Sequence, residues 1–450
     1  MGPSTATDAQ AKTMNSDFPA KPPSPSLKRS LGLATVVSLG INGVIGQGIF
    51  LLPGKAAGMM GPSAGVALLL GGVLCFLIAL CFAEVASRFD TTGGAYVYTR
   101  EAFGDFVGFE VGWMTLCVGI ISWAALSNGF TLVLGHFVPE VAEGWVQKAV
   151  ALSVITGLTL VNWMGAKSGA AVVKFFTVAK MIPLTLFVLV GLFFIEPAQF
   201  TPFAPHGTAP LAETTMLLLY AYAGFETLVV PAGEMANPQR NVPKALFMVM
   251  GIVTAVYMGV FAVAVGTFDG IAGHANPVAA ASANFLGPVG GTLIAVGICL
   301  SVFGTNSGSA LVNPRRFFAM AERGDLPAFL GRVDPKTGAP RAAIGTTWLL
   351  ACALSLSGTF VELAVLGVLA RFAQYIPTCI ALLVFRRRDT EPHDGFTVPG
   401  GPFIPVLTVV LCVLLLANTD PTRLFKGGIA LLVGVPLYFL ARHNRNRAVG

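Results

Sequence analysis

Apolar runs of about 20 residues recur from one end of this chain to the other, separated by short polar segments. A helix of that length rises far enough to cross ~30 Å of hydrocarbon. Inside lipid every backbone N–H and C=O must be satisfied within the protein, which leaves only helices and closed barrels. The strict alternation of an outer-membrane barrel is absent, so the runs read as helices. Composition agrees: the 450 residues are 54% hydrophobic and only 11% charged, whereas a soluble domain is about 25% charged. The expectation is an all-α integral membrane protein that crosses the lipid bilayer many times.

Twelve spans are predicted, at 31–59, 62–87, 106–135, 147–165, 171–195, 211–235, 243–268, 289–312, 341–358, 361–385, 403–419 and 424–441. An even count puts both termini on one side. With the N-terminus inside, 22 of the 28 Lys and Arg fall on cytoplasmic segments, the bias that orients inner-membrane proteins. The formal charge of +6 therefore reports topology and not a nucleic-acid partner. Residues 1–28 read as a disordered cytoplasmic tail, being polar and lacking the apolar core of a signal peptide. Residues 442–450 read as a second cytoplasmic tail. The seven cysteines all lie in predicted spans with no C-x-x-C spacing, and read as small apolar packing residues.

The first span carries residues that a helix in lipid tolerates least. In "SLGINGVIGQGIFLLPGKAAG" the glycines include those at 40, 43, 46, 48 and 54, with a proline at 53. The sixth span, "LLLYAYAGFETLVVPAGE", breaks in the same way at Gly224, followed by Phe225, Glu226 and Pro231. Spans one and six correspond if the first ten spans form two units of five. A five-span unit reverses its orientation when repeated, so the predicted organisation is a first inverted repeat at 29–200 and a second at 201–388. Two further helices occupy 389–441. Paired interruptions at equivalent positions are the strongest sequence pointer to a midplane binding site.

An unwound helix exposes two kinds of partner. At Gly46, Gln47 and Gly48 a half-helix begins, and its N–H groups with the dipole behind them form an anion site. Carbonyls before the break, around Val44 and Ile45, and those near Ala223 offer acceptors for a cation. An anion site beside a cation site is what the two ends of an α-amino acid require. Close helix packing through small residues is the bland alternative for the glycines.

At this point a resemblance becomes specific. "GVIGQGIFLLPGKAAGMMGP" (43–62) resembles the first-span signature of the amino acid–polyamine–organocation (APC) transporter superfamily. "FAEVASRFDTTGGAYVYTREAFG" (82–104) is similar to its second span and first cytoplasmic loop, and "GFETLVVPAGEMANPQRNVPKAL" (224–246) to its sixth-span break. "NPRRFFAMAERGDLPAFLGRVDPKTGAPRAA" (313–343) and "FTVPGGPFIP" (396–405) resemble its eighth-span exit and the start of span eleven. The likeness extends over residues 38–405. It implies the leucine-transporter-like fold of five-plus-five inverted repeats, alternating access and amino-acid transport.

Carried over by position, the resemblance implies that a substrate carboxylate meets the N–H groups of Gln47 and Gly48. Its ammonium meets the carbonyls of Val44, Tyr220 and Ala223, with Tyr220 as an aromatic outer gate. Gln47 stands where the family commonly has Ser, which changes the size of the pocket. Lys180 matches a fifth-span lysine whose ammonium takes the place of a sodium ion in related folds, with Thr305, Asn306 and Ser307 as candidate partners. The implied transport is sodium-independent.

A charge at mid-bilayer costs several kcal/mol unless paired or wet, so intramembrane charges are functional candidates. Glu226 follows the sixth-span break directly and is the candidate proton carrier. A structural acceptor that tethers helix ends is its alternative role. Lys180 has snorkelling as its alternative. Arg371 in "LARFAQYIP" has no evident partner in the sequence. Glu84 and Glu110, with Arg88, Arg100 and Arg315, are expected to form an inner ion-pair gate. His136, His206, His274 and His393 fall in loops and carry no assigned role.

No phosphate-binding G-x-x-x-x-G-K-[ST], metal-spaced cluster or nucleophile motif is present, so neither an enzyme nor a cofactor is expected. The reading is a secondary transporter of amino acids, with neutral ones favoured and protons as the coupling ion. An obligate exchanger of amino acid against amine, and a non-transporting sensor on the same scaffold, are the rival readings.

Overall fold

The computed structural model describes residues 27–135, 137–274, 276–357, 360–389, 395–417 and 421–449. Most of the N-terminal tail, His136 and His393 lie outside them. Among the described residues the chain is helical. The one extended pairing is a parallel bridge between Leu31 and Met235.

The first half runs through α1 (Leu33–Val44), α2 (Gly48–Met60), α3 (Ala64–Ala86), α4 (Ala95–Phe103), α5 (Asp105–Leu134), α6 (Gly144–Trp163) and α7 (Ala166–Gly191). The second comprises α8 (Leu211–Tyr222), α9 (Pro238–Thr267), α10 (Pro277–Glu322), α11 (Arg341–Ser357) and α12 (Phe360–Arg388). Two more helices, α13 (Phe403–Ala417) and α14 (Pro421–Val449), complete the chain. Among the described residues six helical stretches are long and apolar enough to cross a bilayer, by length and composition. Bulky apolar side chains such as Phe193, Leu432 and Val289 face outward, at 88, 70 and 78% exposed. A surface of that kind needs lipid around it, and the protein is an integral, multi-pass membrane protein.

The first predicted span is two helices. α1 stops at Val44, where Ile45 turns extended (φ −76°, ψ 90°), and α2 starts at Gly48. The sixth is α8 followed by two separate 3₁₀ turns, Phe225–Val229 and Ala232–Glu234. Gly224 makes the second interruption with φ 122°, a conformation that a side chain makes costly. A β-carbon there would collide with the carbonyl oxygen of Gly43, so the two breaks touch backbone to backbone.

Around them α1 packs on α7 and α9, and α8 on α2 and α3. On the other side α5 and α7 pack on α10, while α12 packs on α5. α13 lies against α12 and α3, and α14 against α5 and α12.

Two expectations differ in extent. The segment between the second and third spans, read as a loop, contains α4, whose Tyr96, Tyr98 and Thr99 are buried. The eighth span, expected at 289–312, is part of the longer α10. A kink at Gly287 (φ 66°) before Pro288 marks its expected start, and the helix continues ten residues past the apolar run. Its two arginines there find acceptors inside the protein. Arg315 is fully buried in a two-bond pair with Glu234, Nε to Oε2 at 2.8 Å and Nη2 to Oε1 at 3.0 Å. Arg316 Nη1 donates to the Thr115 carbonyl at 2.6 Å.

Candidate functional site

The interruptions of α1 and α8 enclose a cavity of about 60 Å³, lined from α1 and α2 by Val44, Gly46, Gln47 and Gly48. That is room for about four waters, or for a small polar ligand. From α8 come Tyr220, Ala221 and Ala223. Ser122, Ala125 and Leu126 of α5, Thr305 of α10 and Arg371 of α12 close the remaining sides.

Among the described residues the N–H groups of Gln47 and Gly48 find no backbone acceptor, since the first bond of α2 is Phe50 N–H to Gln47 C=O at 3.1 Å. These are the orphan donors of a helix start, here turned to a cavity. Gly48 itself is confined: a β-carbon would stand 3.2 Å from the Ala221 α-carbon.

The predicted carbonyl acceptors divide. Val44 C=O already accepts from Gly46 N–H at 2.9 Å and lies 3.1 Å from the Tyr257 hydroxyl. Tyr220 C=O lies 3.3 Å from Ala223 N–H. Ile45 C=O faces away from the cavity and receives the Lys180 ammonium at 2.6 Å. Phe225 is also outside the cavity lining, stacked on Tyr375 with ring centroids 5.5 Å apart.

Lys180 is fully buried on α7. Besides Ile45 its Nζ lies 3.3 Å from the Asn42 carbonyl and 3.4 Å from Thr305 Oγ1. Ser301 Oγ shares the Ile45 carbonyl with it, at 3.0 Å, and lies 3.0 Å from the Gly46 carbonyl. The ammonium is thus held by oxygen atoms at the point where α1 ends. Of its expected partners only Thr305 touches it. Asn306 receives a hydrogen bond from Ser127 at 2.7 Å, and Ser307 faces Asn42 at 3.4 Å.

Glu226 lies behind the second break. Its Oε2 accepts from Gly224 N–H and from the Tyr375 hydroxyl, both at 2.9 Å, and its Oε1 from Arg371 Nε at 3.1 Å. Arg371, partnerless in the sequence, therefore pairs with the residue already singled out.

Charges gather at the end of the bundle that carries residues 27–32. Glu84 pairs with Arg386 (Nε to Oε1 2.7 Å) and with Arg88, and accepts from Val398 N–H at 2.6 Å. Arg88 also meets Asp389. Arg100 bonds Asp325 at 2.7 Å, sharing it with the Tyr96 hydroxyl. Of the five residues expected to form an inner gate, only Glu84 and Arg88 pair with each other. Glu110 lies apart, against Gly434 of α14, its oxygens unpartnered among the described residues. Ser30 and Leu31 N–H donate to the Glu234 carbonyl at 2.8 and 2.9 Å, tying the start of the first span to the end of the sixth.

Tyr257 escaped the sequence reading. Its hydroxyl lies 3.1 Å from Val44 C=O and 2.8 Å from Ala221 C=O, touching the last turn of both half-helices. A lone tyrosine in an apolar span gives no sign of this, and the same holds for Ser122, Ser301 and Tyr375.

Interrupted helices that meet at a cavity inside an apolar-faced bundle are the build of a membrane transport protein. The chain belongs to the amino acid permease family, whose sequence profile matches residues 31–426. It is 30% identical over 427 residues to the serine/threonine exchanger SteT of Bacillus subtilis, covering 92% of this chain and 97% of that one. It is 28% identical to the branched-chain amino acid permease BcaP of the same organism, over 92 and 93%. Likeness to the B. subtilis methylthioribose transporter is 26%, over 94 and 95%. The family and these relatives are transporters, not enzymes.

Proposed function

We propose that this chain is a secondary active transporter that moves small neutral amino acids across the cytoplasmic membrane by alternating access. The observation that carries the reading is the contact of two interrupted helices, at Gly43 and Gly224, beside a cavity edged by unpaired N–H groups of Gln47 and Gly48. Those N–H groups suit the substrate carboxylate, while Ala223 C=O is the acceptor best suited to the ammonium. Val44 and Tyr220 supply side walls more than open acceptors. Ile45, Phe225 and Gly224 act from behind the wall, as cage, packing and hinge. Two relatives named for neutral amino acids support the substrate class.

The helices are assigned to twelve spans, with repeats at 29–200 and 201–388 and both termini cytoplasmic. The clustering of Arg29, Arg88, Arg100, Arg315 and Arg386 at the N-terminal end of the bundle supports that orientation. Sodium independence draws support from Lys180, whose ammonium already occupies a cage of carbonyl and hydroxyl oxygens.

Coupling to protons through Glu226 draws support from its bond to the hinge N–H of Gly224, through which a change of charge would reach the break. Obligate exchange is the second reading. Arg371 already supplies Glu226 with a positive partner, and one relative is named an exchanger.

The test is counterflow into proteoliposomes of purified protein loaded with single amino acids. Saturable exchange of neutral amino acids is the expected result. Loss of counterflow with every amino acid and amine tried, in folded protein, would favour the sensor reading instead.

A further inference from the structure

Arg371 faces two ways. Its Nε is bound to Glu226, yet the side chain also lines the cavity. Glu226 does not line it: its side chain is 1% exposed, against 13% for that of Arg371, and its carboxylate is held from behind by Gly224 and Tyr375. The cation therefore stands between the carboxylate and whatever fills the cavity.

The neighbouring charges add to this asymmetry. Arg316, on α10, is only 4% exposed and forms no ion pair among the described residues, its Nη1 resting on the Thr115 carbonyl. Thr115 lies two turns, about 10 Å, along α5 from Ser122 of the cavity lining, so this second guanidinium is the next cation along that helix. Lys180, on the other flank, points at Ile45. Glu226 is the one carboxylate touching either break among the described residues, and Arg371 shields it.

We infer that Arg371, backed by Glu226, sets the charge of the substrate: the site takes amino acids with no net positive charge and excludes cationic amino acids and amines. Rejection is by repulsion, a common route to specificity where favourable contacts alone discriminate poorly. A side-chain ammonium in this cavity would meet a guanidinium at short range in a poorly hydrated site, where like charges repel far more than in water. The inference rests on the transport reading above and names its selectivity element.

It has a direct consequence. Neutralising Arg371 alone uncovers Glu226 and turns a cation-repelling wall into a cation-attracting one. Reconstituted Arg371→Gln should therefore gain uptake of lysine or putrescine relative to serine, by about tenfold or more, as expected for a change of one close charge contact. The double variant Arg371→Gln/Glu226→Gln removes the repelling and the attracting charge together, and its ratio should fall between those of wild type and the single variant. Arg371→Lys keeps the positive charge and should keep the exclusion.

A folded Arg371→Gln protein with the wild-type ratio overturns the inference, as does a double variant that prefers cations as strongly as the single one. Where the single variant does not fold, Glu226→Gln tests the same geometry from the other side. It leaves the guanidinium without its carboxylate and should raise the aspartate-to-serine ratio, and an unchanged ratio counts against the proposal. Wild-type protein that transports no amino acid at all would instead sink the transport reading, so the two failures are distinguishable.

Discussion

The ammonium of Lys180 stands 2.6 Å from the carbonyl oxygen of Ile45, the residue at which the first span stops being a helix. A helix end leaves carbonyls without intrahelical donors, and in lipid they need a partner. Lys180 reaches across from α7 and supplies it, with the Asn42 carbonyl and Thr305 hydroxyl completing the oxygen cage, while Ser301 Oγ bonds the same Ile45 carbonyl. Counterflow rates should accordingly be the same in sodium and in choline buffers at equal ionic strength. Lys180→Ala should lower transport by about tenfold or more, because a buried oxygen cage loses a charge-assisted partner. A steep sodium requirement in the wild type would mean that the cage is open to the ion.

Gly224 is the least replaceable residue of the second break. Its φ of 122° disfavours any side chain, and a β-carbon would run into the Gly43 carbonyl of the first break. Gly224→Ala should therefore abolish substrate-induced thermal stabilisation, which reports binding by mass action. Gly46→Ala is the matched control: the nearest atom to its added carbon is Thr305 Oγ1 at 3.7 Å, an ordinary contact. Gly48→Leu should also lose binding, since even the β-carbon would press on Ala221 at 3.2 Å. Unchanged ligand shifts in Gly224→Ala and Gly48→Leu would remove the breaks from the binding site.

The contrast between what was and was not legible follows the range of the signals. Helix breaks are local: Gly46, Gly48 and Gly224 announce themselves because poor helix formers stand inside apolar runs. Glu226 and Lys180 stand out for the same reason, as charges in lipid. Partners are not local. Arg371 lies 145 positions from Glu226 in the chain, and the packing of α12 against the core, not any motif, brings them together. The Ile45 carbonyl was grouped with the substrate acceptors because the sequence gives its proximity to the break and not the direction it faces. α4 was missed for a third reason. It is short and amphipathic, and its aromatic face is buried under the bundle without ever forming an apolar run.

Tyr257 joins the two half-helices through one hydroxyl, placed between the Val44 and Ala221 carbonyls. Tyr257→Phe keeps the ring and removes only this contact. A typical hydrogen bond contributes about 0.5–1.5 kcal/mol net, so substrate affinity should fall by roughly two- to tenfold. If the phenol positions the breaks, the change should appear in the half-saturating concentration while expression and melting temperature change little. A variant that melts much lower yet binds normally would assign Tyr257 to packing alone.

Glu226 decides how transport is driven. Its carboxylate is bonded to Gly224 N–H, so any change in its charge acts on the hinge itself, and Arg371 competes with a proton for the same group. Glu226→Gln can accept from Gly224 but cannot release a proton. Under proton symport the variant should lose accumulation driven by a pH difference and keep part of its exchange of internal for external substrate. Under obligate exchange the wild type itself should show no accumulation from a pH difference in vesicles without internal substrate. Both assays run on the same vesicle preparation, which fixes the amount of folded protein. Should Glu226→Gln still accumulate substrate on a pH difference alone, the carboxylate is the structural anchor of Arg371, and the proton travels by another group.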